Sequence, residues 1–418
     1  MTRSPLKIAV ISQYFHPENF IINDIVRELQ AQGHAVEVFT GKPNYPAGAV
    51  YKGYTAEGCL EESFNGVPVH RSPLRPRGSG GGKNLLLNYL SFVFNGSRFF
   101  PKYARHTSFD VYFVFAPSPI TSVIPALLMK GARRAPVFLW VQDLWPESLA
   151  ATGFITNKLL LKVVGVGVRM LYAAVDVLLV QSQAFVEPVS RYARRSKIVY
   201  YPNSYLQSKP TELPTALATS LIDTLKQHFC VVFAGNLGSA QALATIVEAA
   251  RQLQVQGNTA KIVLVGDGSR AKWLAEQKQQ LALDNLVLAG AYPKSSMAEL
   301  FELSSALLVT LKRDEIFSYT IPSKVQAYLA AGKPIIASLD GEGARVVAAA
   351  GAGMTCSAED ASALAARIQA MQSLTNEERL LLGSKGKAYY SEHFELRAQC
   401  VKLVSIFEQQ LYQSRNVE

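Results

Sequence analysis

Short runs of β-branched and aromatic residues recur along this chain, each followed by a stretch whose apolar positions lie three and four residues apart. The runs KIAVIS, AVEVFT, DVYFVF, PVFLWV, VDVLLVQ and KIVYYPN fill the first half. Apolar runs bounded by turn residues predict strands buried on both faces, and the periodic stretches predict helices that cover them. One such helix spans Asn23 to Gln32 and stops at Gly33. From Ser204 to about Thr224 the chain is rich in Ser, Thr, Pro and Lys and reads as a linker. The rhythm then restarts with CVVFAG, KIVLVG, NLVLAG, ALLVTL, KPIIAS and GAGMTC. This order predicts an α/β fold of two Rossmann-like, doubly wound parallel-sheet domains, residues 1–204 and 226–394, joined by a linker at 205–225. A helical pattern from Glu395 to Gln413 closes the chain. Residues 395–418 either cap the second domain or pack back on the first. Ligands in such sheets bind beyond the carboxyl ends of strands, and here also in a cleft between the domains.

At 418 residues the chain has room for two or three domains, and 49% hydrophobic with 18% charged residues excludes a disordered one. Forty-two basic against 32 acidic side chains leave +10, which favours an anionic partner: nucleic acid, anionic lipid or a phosphorylated substrate. Cys59, Cys230, Cys356 and Cys400 stand singly, so a reducing compartment is the default and neither zinc nor a disulfide framework is indicated. The Ile8–Ile11 run is too short for a secretory signal, and no stretch of about 20 residues lacks polar interruption. The expectation is a cytosolic chain.

Two apparent motifs fail on spacing. GSGGGK at 78–83 has Asn84 where a phosphate loop needs Ser or Thr, and no strand precedes it, so it reads as a surface loop. The first strand is followed by QYFHPENF rather than GxGxxG, which argues against a dinucleotide oxidoreductase. With no DxD pair and dispersed histidines, no metal site is expected.

Three segments carry more. VQDLWPES (141–148) follows an apolar strand, so Gln142 and Asp143 border the ligand crevice, or Asp143 and Glu147 serve a helix start. In FAGNLGSAQAL (233–243) a strand meets a helix through Gly235, Asn236, Leu237 and Gly238, exposing backbone N–H groups that suit a phosphate. IPSKVQAYLAAGKPIIAS (321–338) begins a helix near Ser323, with Lys324 in its first turn. A cation there opposes the helix dipole unless an anion joins it, which makes Lys324 the foremost candidate for a diphosphate contact.

Together with SQYFHPENFIINDIVREL, GKPNYPAG and LVGDGS, these segments resemble, over nearly the full chain, the GT-B, family-4-type retaining glycosyltransferases. The resemblance is strongest to those of bacterial surface-polysaccharide synthesis that handle N-acetylfucosamine and related sugars. It implies a nucleotide-sugar donor, UDP-linked, and an acceptor saccharide on a polyprenyl diphosphate, in O-antigen or capsule assembly, with retention and without a metal or other cofactor. Catalysis would fall to Lys324, Asp143 and Glu18. Donor contacts would come from Gly235, Asn236, Gln241, Gly266, Tyr292, Ser323, Lys324, Gln326 and Glu342, and acceptor contacts from Asn19, Asn44, Tyr45, Gln142 and Glu147. Some positions depart from the family. Asn236 and Gln241 stand where an Arg and a Lys are usual, and Tyr319 and Ala327 where two glutamates are usual, leaving Glu315, Gln326 or Glu342 as substitutes for the ribose carboxylate. Gln142 replaces a frequent His.

No acidic residue lies between Glu62 and Asp110, while Arg71, Arg75, Arg77, Lys83, Arg98, Lys102 and Arg105 do. Asn84, Asn88, Ser91, Asn95 and Arg98 make a narrow polar stripe on a helix otherwise built of Leu, Phe, Val and Tyr. So wide an apolar face predicts an interfacial helix, with Leu86, Leu90, Phe94 and Phe99 toward lipid and Arg98 and Lys102 toward head groups. A second helix from Asn157 to Tyr172 carries Lys158, Lys162 and Arg169 among Leu, Val and Met. These features predict a peripheral membrane protein, and the resemblance implies the cytoplasmic face of a bacterial inner membrane. Nucleic acid is disfavoured, because the aromatic residues alternate with aliphatic ones. Two alternatives keep the fold: a GT-B-type UDP-sugar 2-epimerase, and a non-catalytic membrane-associated partner in polysaccharide assembly.

Overall fold

The computed structural model describes residues 5–78, 81–131, 135–206 and 216–416, which form two compact units. The first unit runs to Ser204 and resumes at Leu396; the second runs from Tyr205 to Glu395.

Eight strands build the first unit: β1 (Lys7–Ser12), β2 (Ala35–Thr40), β3 (Leu60–Phe64), β4 (Val67–Arg71), β5 (Val111–Ala116), β6 (Val137–Val141), β7 (Val177–Val180) and β8 (Ile198–Tyr200). They lie in the order β3-β4-β2-β1-β5-β6-β7-β8, and all pairs are parallel except the β3–β4 hairpin. The expectation of a purely parallel sheet is corrected at this edge. Asn65 and Gly66, with φ of 51° and 85°, supply the left-handed pair that a two-residue hairpin needs. Strand β3 exposes every second residue, as an edge strand with charges does, and so lacks the apolar run of its neighbours.

The Ile21–Ala31 helix packs Ile22, Ile25, Val26 and Leu29 onto the sheet at helical spacing. The closing Leu396–Asn416 helix adds Leu396, Cys400, Leu403, Val404 and Phe407 to the same core. The Phe407 ring stands edge-on to Phe138 and Phe113, with centroids 4.6 and 5.7 Å away. Burying that ring alone stabilises the arrangement by about 2–3 kcal/mol.

The second unit is wholly parallel: β9 (Cys230–Ala234), β10 (Lys261–Val265), β11 (Leu286–Gly290), β12 (Ala306–Thr310), β13 (Ile335–Ser338) and β14 (Gly353–Cys356), in the order β11-β10-β9-β12-β13-β14. Alternate residues of each strand enter cores on opposite faces. Cys230, Val232 and Ala234 enter one, Val231 and Phe233 the other. The linker reading is corrected in part, because Thr219–Gln227 is a helix whose Leu221 and Leu225, with Leu217, pack into the second unit. Its Ser/Thr-rich solvent face hid that spacing, and residues 207–215 of the expected linker lie outside the described residues. In both sheets the strand order reverses at a central strand, between β1 and β5 and between β9 and β12, where ligands bind in doubly wound folds.

Candidate active site

At the carboxyl end of the second sheet, β9 and β10 are each followed by a glycine and β11 ends on one. Gly235 and Gly266 donate to Val265 O and Gly290 O at 2.8 Å, so the three glycines lie side by side. A Cβ on Gly266 (φ +145°) would fall 1.9 Å from Gly235 O, and one on Gly235 (φ +138°) 2.7 Å from Lys324 Cε. The lysine stem therefore runs through the space that glycine leaves open.

Lys324 lies in the first turn of the Ser323–Ala331 helix, which starts at Ser323 as the sequence implies and ends on left-handed Gly332. It is not the solvated side chain that a helix-end lysine usually is. Its Nζ donates to Gln241 Oε1 at 2.5 Å and stands 3.7 Å from the centroid of the Phe233 ring. Burial lowers its pKa from 10.5 to about 7. Gln241 is held through its carbonyl by Thr310 Oγ1 at 2.5 Å, just before Ala242 in the left-handed region. Asn236 is exposed beside this turn.

The other donor candidates are more committed. Gln326 is buried within the unit, and Glu342 is buried and held by both Arg345 Nε and Nη2, at 2.9 and 2.7 Å. Glu315 is exposed and accepts from Tyr319 Oη at 2.6 Å. Tyr292 packs on the core while its hydroxyl accepts from Ala218 N at 3.2 Å.

In the first unit, Glu18 is turned inward. Its Oε1 accepts from the backbone N–H of Asn44 and Tyr45 at 2.8 and 2.7 Å, and Oε2 from Phe15 at 3.1 Å. Burial raises its carboxyl above the usual range, against the lowering pull of those three bonds. Glu18 thereby ties the loops at 15–18 and 44–45 together. Asn44 is fully buried: Oδ1 accepts from Arg77 N at 3.1 Å and Nδ2 donates to Lys42 O at 3.1 Å. Asn19 and Tyr45 remain exposed, and the Arg77 guanidinium stacks over the Tyr45 ring at 5.1 Å.

Asp143 Oδ2 accepts from the indole of Trp145 at 3.1 Å. The Gln142 carbonyl accepts from Gln181 Nε2 at 2.8 Å, and Glu147 Oε1 accepts from Tyr192 Oη at 3.4 Å. Gln142 Nε2, Glu147 Oε2 and Ser148 Oγ are buried without a hydrogen-bond partner among the described residues. Buried polar atoms are rarely left so, and these three cluster just past the end of β6.

The Gly82–Tyr103 helix turns one polar residue inward and a row of apolar residues outward. Within its polar stripe, Asn88 is fully buried, taking Gln13 Nε2 at 2.7 Å and donating to Arg75 O at 2.6 Å, while Arg98 at the far end is exposed. Tyr89, Phe92 and Phe100 are buried, whereas Leu86, Leu90 and Phe94, at intervals of four, are 48%, 53% and 66% exposed. Arg98 and Lys102 are exposed and flank a half-buried Phe99. The Lys158–Ala174 helix, N-capped by Asn157, adds exposed Leu159, Val163, Val166 and Met170. Both helices neighbour the 120–123 turn. No helix among the described residues is long and apolar enough to cross a membrane.

Phe233 and Thr310 were also missed. The first looks like any strand residue, and its role as a floor beneath an amine depends on a helix far along the chain.

Two Rossmann-like units whose glycine turns and helix starts lie at the carboxyl strand ends define a GT-B fold. The glycosyl transferase 4-like domain family matches residues 19–204, and the glycosyl transferases group 1 family matches residues 228–373. The chain belongs to the family-4 glycosyltransferases of GT-B fold. An Escherichia coli (strain K12) protein described as a colanic acid biosynthesis glycosyl transferase is 24% identical over 345 residues, covering 78% of this chain and 82% of that one. Sucrose-phosphate synthase from Thermosynechococcus elongatus superposes with a TM-score of 0.69 at 16% identity, covering 98% of this chain and 100% of that one. Anabaena HepE in complex with UDP gives 0.63 at 13% identity, covering 97% and 100%. These structural likenesses concern the fold.

Proposed function

We propose that the protein transfers a sugar, an N-acetylated deoxyhexosamine such as N-acetylfucosamine, from a UDP-linked donor to a polyprenyl-diphosphate-linked saccharide, with retention and without a metal, at the cytoplasmic face of a bacterial inner membrane. The observation that carries the donor half is the Lys324 amine, which is largely but not wholly buried beside a glycine-lined turn with a neutral amide as its hydrogen-bond acceptor. A buried cation without a countercharge is costly, and a diphosphate is the group that relieves it. As the sugar–phosphate bond breaks, the negative charge growing on the departing diphosphate strengthens that contact, so the lysine lowers the barrier more than it tightens ground-state binding. HepE's complex with UDP supports the choice of nucleotide.

Gln142, Glu147 and Ser148 carry the acceptor half, since hydroxyls of a saccharide would satisfy their unpaired atoms. Asp143 and Tyr45 complete the reading of the acceptor region. The lipid anchor is supported by the exposed apolar rows at 86–94 and 159–170 amid Lys83, Arg98, Lys102, Lys158, Lys162 and Arg169. Incubating the protein with a panel of UDP-sugars and a polyprenyl-diphosphate saccharide, with anomeric analysis of the product, tests the proposal. Transfer with retention is expected, and neither transfer nor donor hydrolysis across the panel refutes it.

A further inference from the structure

We infer that Lys324 is loaded with a proton by its ligand: a nucleoside diphosphate enters the β9 turn together with one proton from solution, and Gln241 is the positioning residue that holds the empty amine in place for it. This rests on the donor reading of the site given above.

The geometry is that of an amine stored without a countercharge among the described residues. Nζ donates to Gln241 Oε1 at 2.5 Å and stands 3.7 Å above the Phe233 ring, in a channel that a Cβ on Gly235 would block. The elements around it carry neutral side chains or charges already paired elsewhere. Strand β9 offers Phe233, its following turn Asn236, and the 239–241 turn Gln241, all neutral. One turn along its own helix, the Tyr328 phenol is kept neutral by burial and accepts from Ala234 N. On the neighbouring loops, Asp267 accepts from Gly268 N, Arg313 pairs with Asp340, and Glu342 pairs with Arg345. Burial is the cause of its depressed basicity.

An amine that titrates near neutrality when empty is largely uncharged at pH 8.5. A diphosphate beside it restores the ordinary basicity of lysine, so the amine takes up H⁺ and becomes an ammonium paired with the ligand. Only an N–H bond forms; no oxidant or further reactant is required. Release of the nucleoside diphosphate returns the proton. Gln241 suits this cycle because its carbonyl oxygen accepts from either form of the amine, and a carboxylate there would lock the charged form in place.

The test is isothermal titration calorimetry of UDP into the full chain at pH 8.5 in Tris and in bicine, buffers of different ionisation enthalpy, so that the difference in heat counts protons. At this pH the terminal phosphate of UDP is already ionised and contributes no uptake. The expected result is uptake of about one proton per UDP, with affinity falling about tenfold per pH unit between pH 8 and 9. Lys324→Arg keeps its charge throughout and should bind UDP with no uptake. Gln241→Leu should keep the proton uptake and weaken UDP binding about three- to tenfold, the scale of one lost positioning bond. UDP binding to the wild-type chain without uptake overturns this inference and leaves the donor site standing. Equal uptake by Lys324→Arg also overturns it, since the proton then goes elsewhere. No UDP binding at all overturns the donor reading instead. Thermal melts of each variant separate misfolding from lost binding.

Discussion

Replacing Lys324 with Met should stabilise the second unit, by an amount that depends on pH in a stated direction. The lysine titrates at about 7 in the folded protein against 10.5 for an ordinary lysine. Below pH 7 the amine is protonated in both states and folding bears the whole desolvation cost, about 4–5 kcal/mol at about 1.4 kcal/mol per pH unit of depression. Between pH 7 and 10.5 the unfolded chain binds more protons than the folded one, so stability rises with pH; above 10.5 the cost has gone. The cost is about 4 kcal/mol at pH 7 and about 2 kcal/mol at pH 9. Met fills the channel with a stem of similar length but strands Gln241 Oε1 and forfeits the contact with Phe233, at about 1–2 kcal/mol.

The net expectation is a gain of about 2–3 kcal/mol at pH 7 that shrinks to about 0–1 kcal/mol at pH 9. A two-unit chain does not unfold in one step, so the readout must belong to the second unit. Pulse proteolysis across a urea series, with peptides from residues 230–234 and 323–331 quantified at both pH values, provides it. A destabilised variant, or a gain equal at both pH values, refutes the reasoning, because the lysine would then be either an ordinary structural contact or already solvated. The helix-dipole argument alone predicts only about 0.3–1 kcal/mol, nearly constant over this range, so the two explanations separate cleanly.

Gly266→Ala puts a Cβ 1.9 Å from Gly235 O and should cost about 3 kcal/mol or more in the same assay, whereas Gly257→Ala, with φ +68° and open space, should cost only about 1 kcal/mol. Equal losses at the two positions would mean that backbone conformation alone, rather than the close approach of strands, requires the glycine. Glu18→Gln replaces a carboxylate that accepts three backbone N–H groups with a side chain that has one acceptor oxygen, and should destabilise the loops at 15–18 and 44–45 by about 2–3 kcal/mol. Unchanged hydrogen exchange in those loops, with turnover lost, would instead give the residue a catalytic role. The double variant Leu90→Glu with Phe94→Glu should fold normally yet lose roughly 50-fold in sedimentation with anionic phospholipid vesicles, since two exposed apolar side chains are worth about 2–3 kcal/mol in a lipid interface. Full vesicle binding by that variant would remove these helices from the membrane reading.

What the sequence disclosed and what it concealed divide along a physical line. Apolar runs such as Val111–Ala116 reveal buried strands because burial on both faces imprints every residue. The β3–β4 hairpin escaped because an edge strand is half solvated, although Asn65-Gly66 was a turn signal in plain view. On the 82–103 helix the periodicity fixed the width of the apolar face but not its direction. Asn88 turns inward because Gln13, a residue from the far end of the first strand, offers a partner that no local pattern can announce. Lys324 belongs to the same class. Its place in a first helical turn was legible and already marked it as a conflict of charge and dipole, whereas the larger conflict, burial over Phe233 beside Gln241, exists only once β9 and the 323–331 helix are brought together. Both departures from local preference survive because another segment relieves them. Asn88 is relieved within the fold by an amide; for Lys324 the fold supplies only a neutral acceptor, and the charge it needs has to arrive with a ligand.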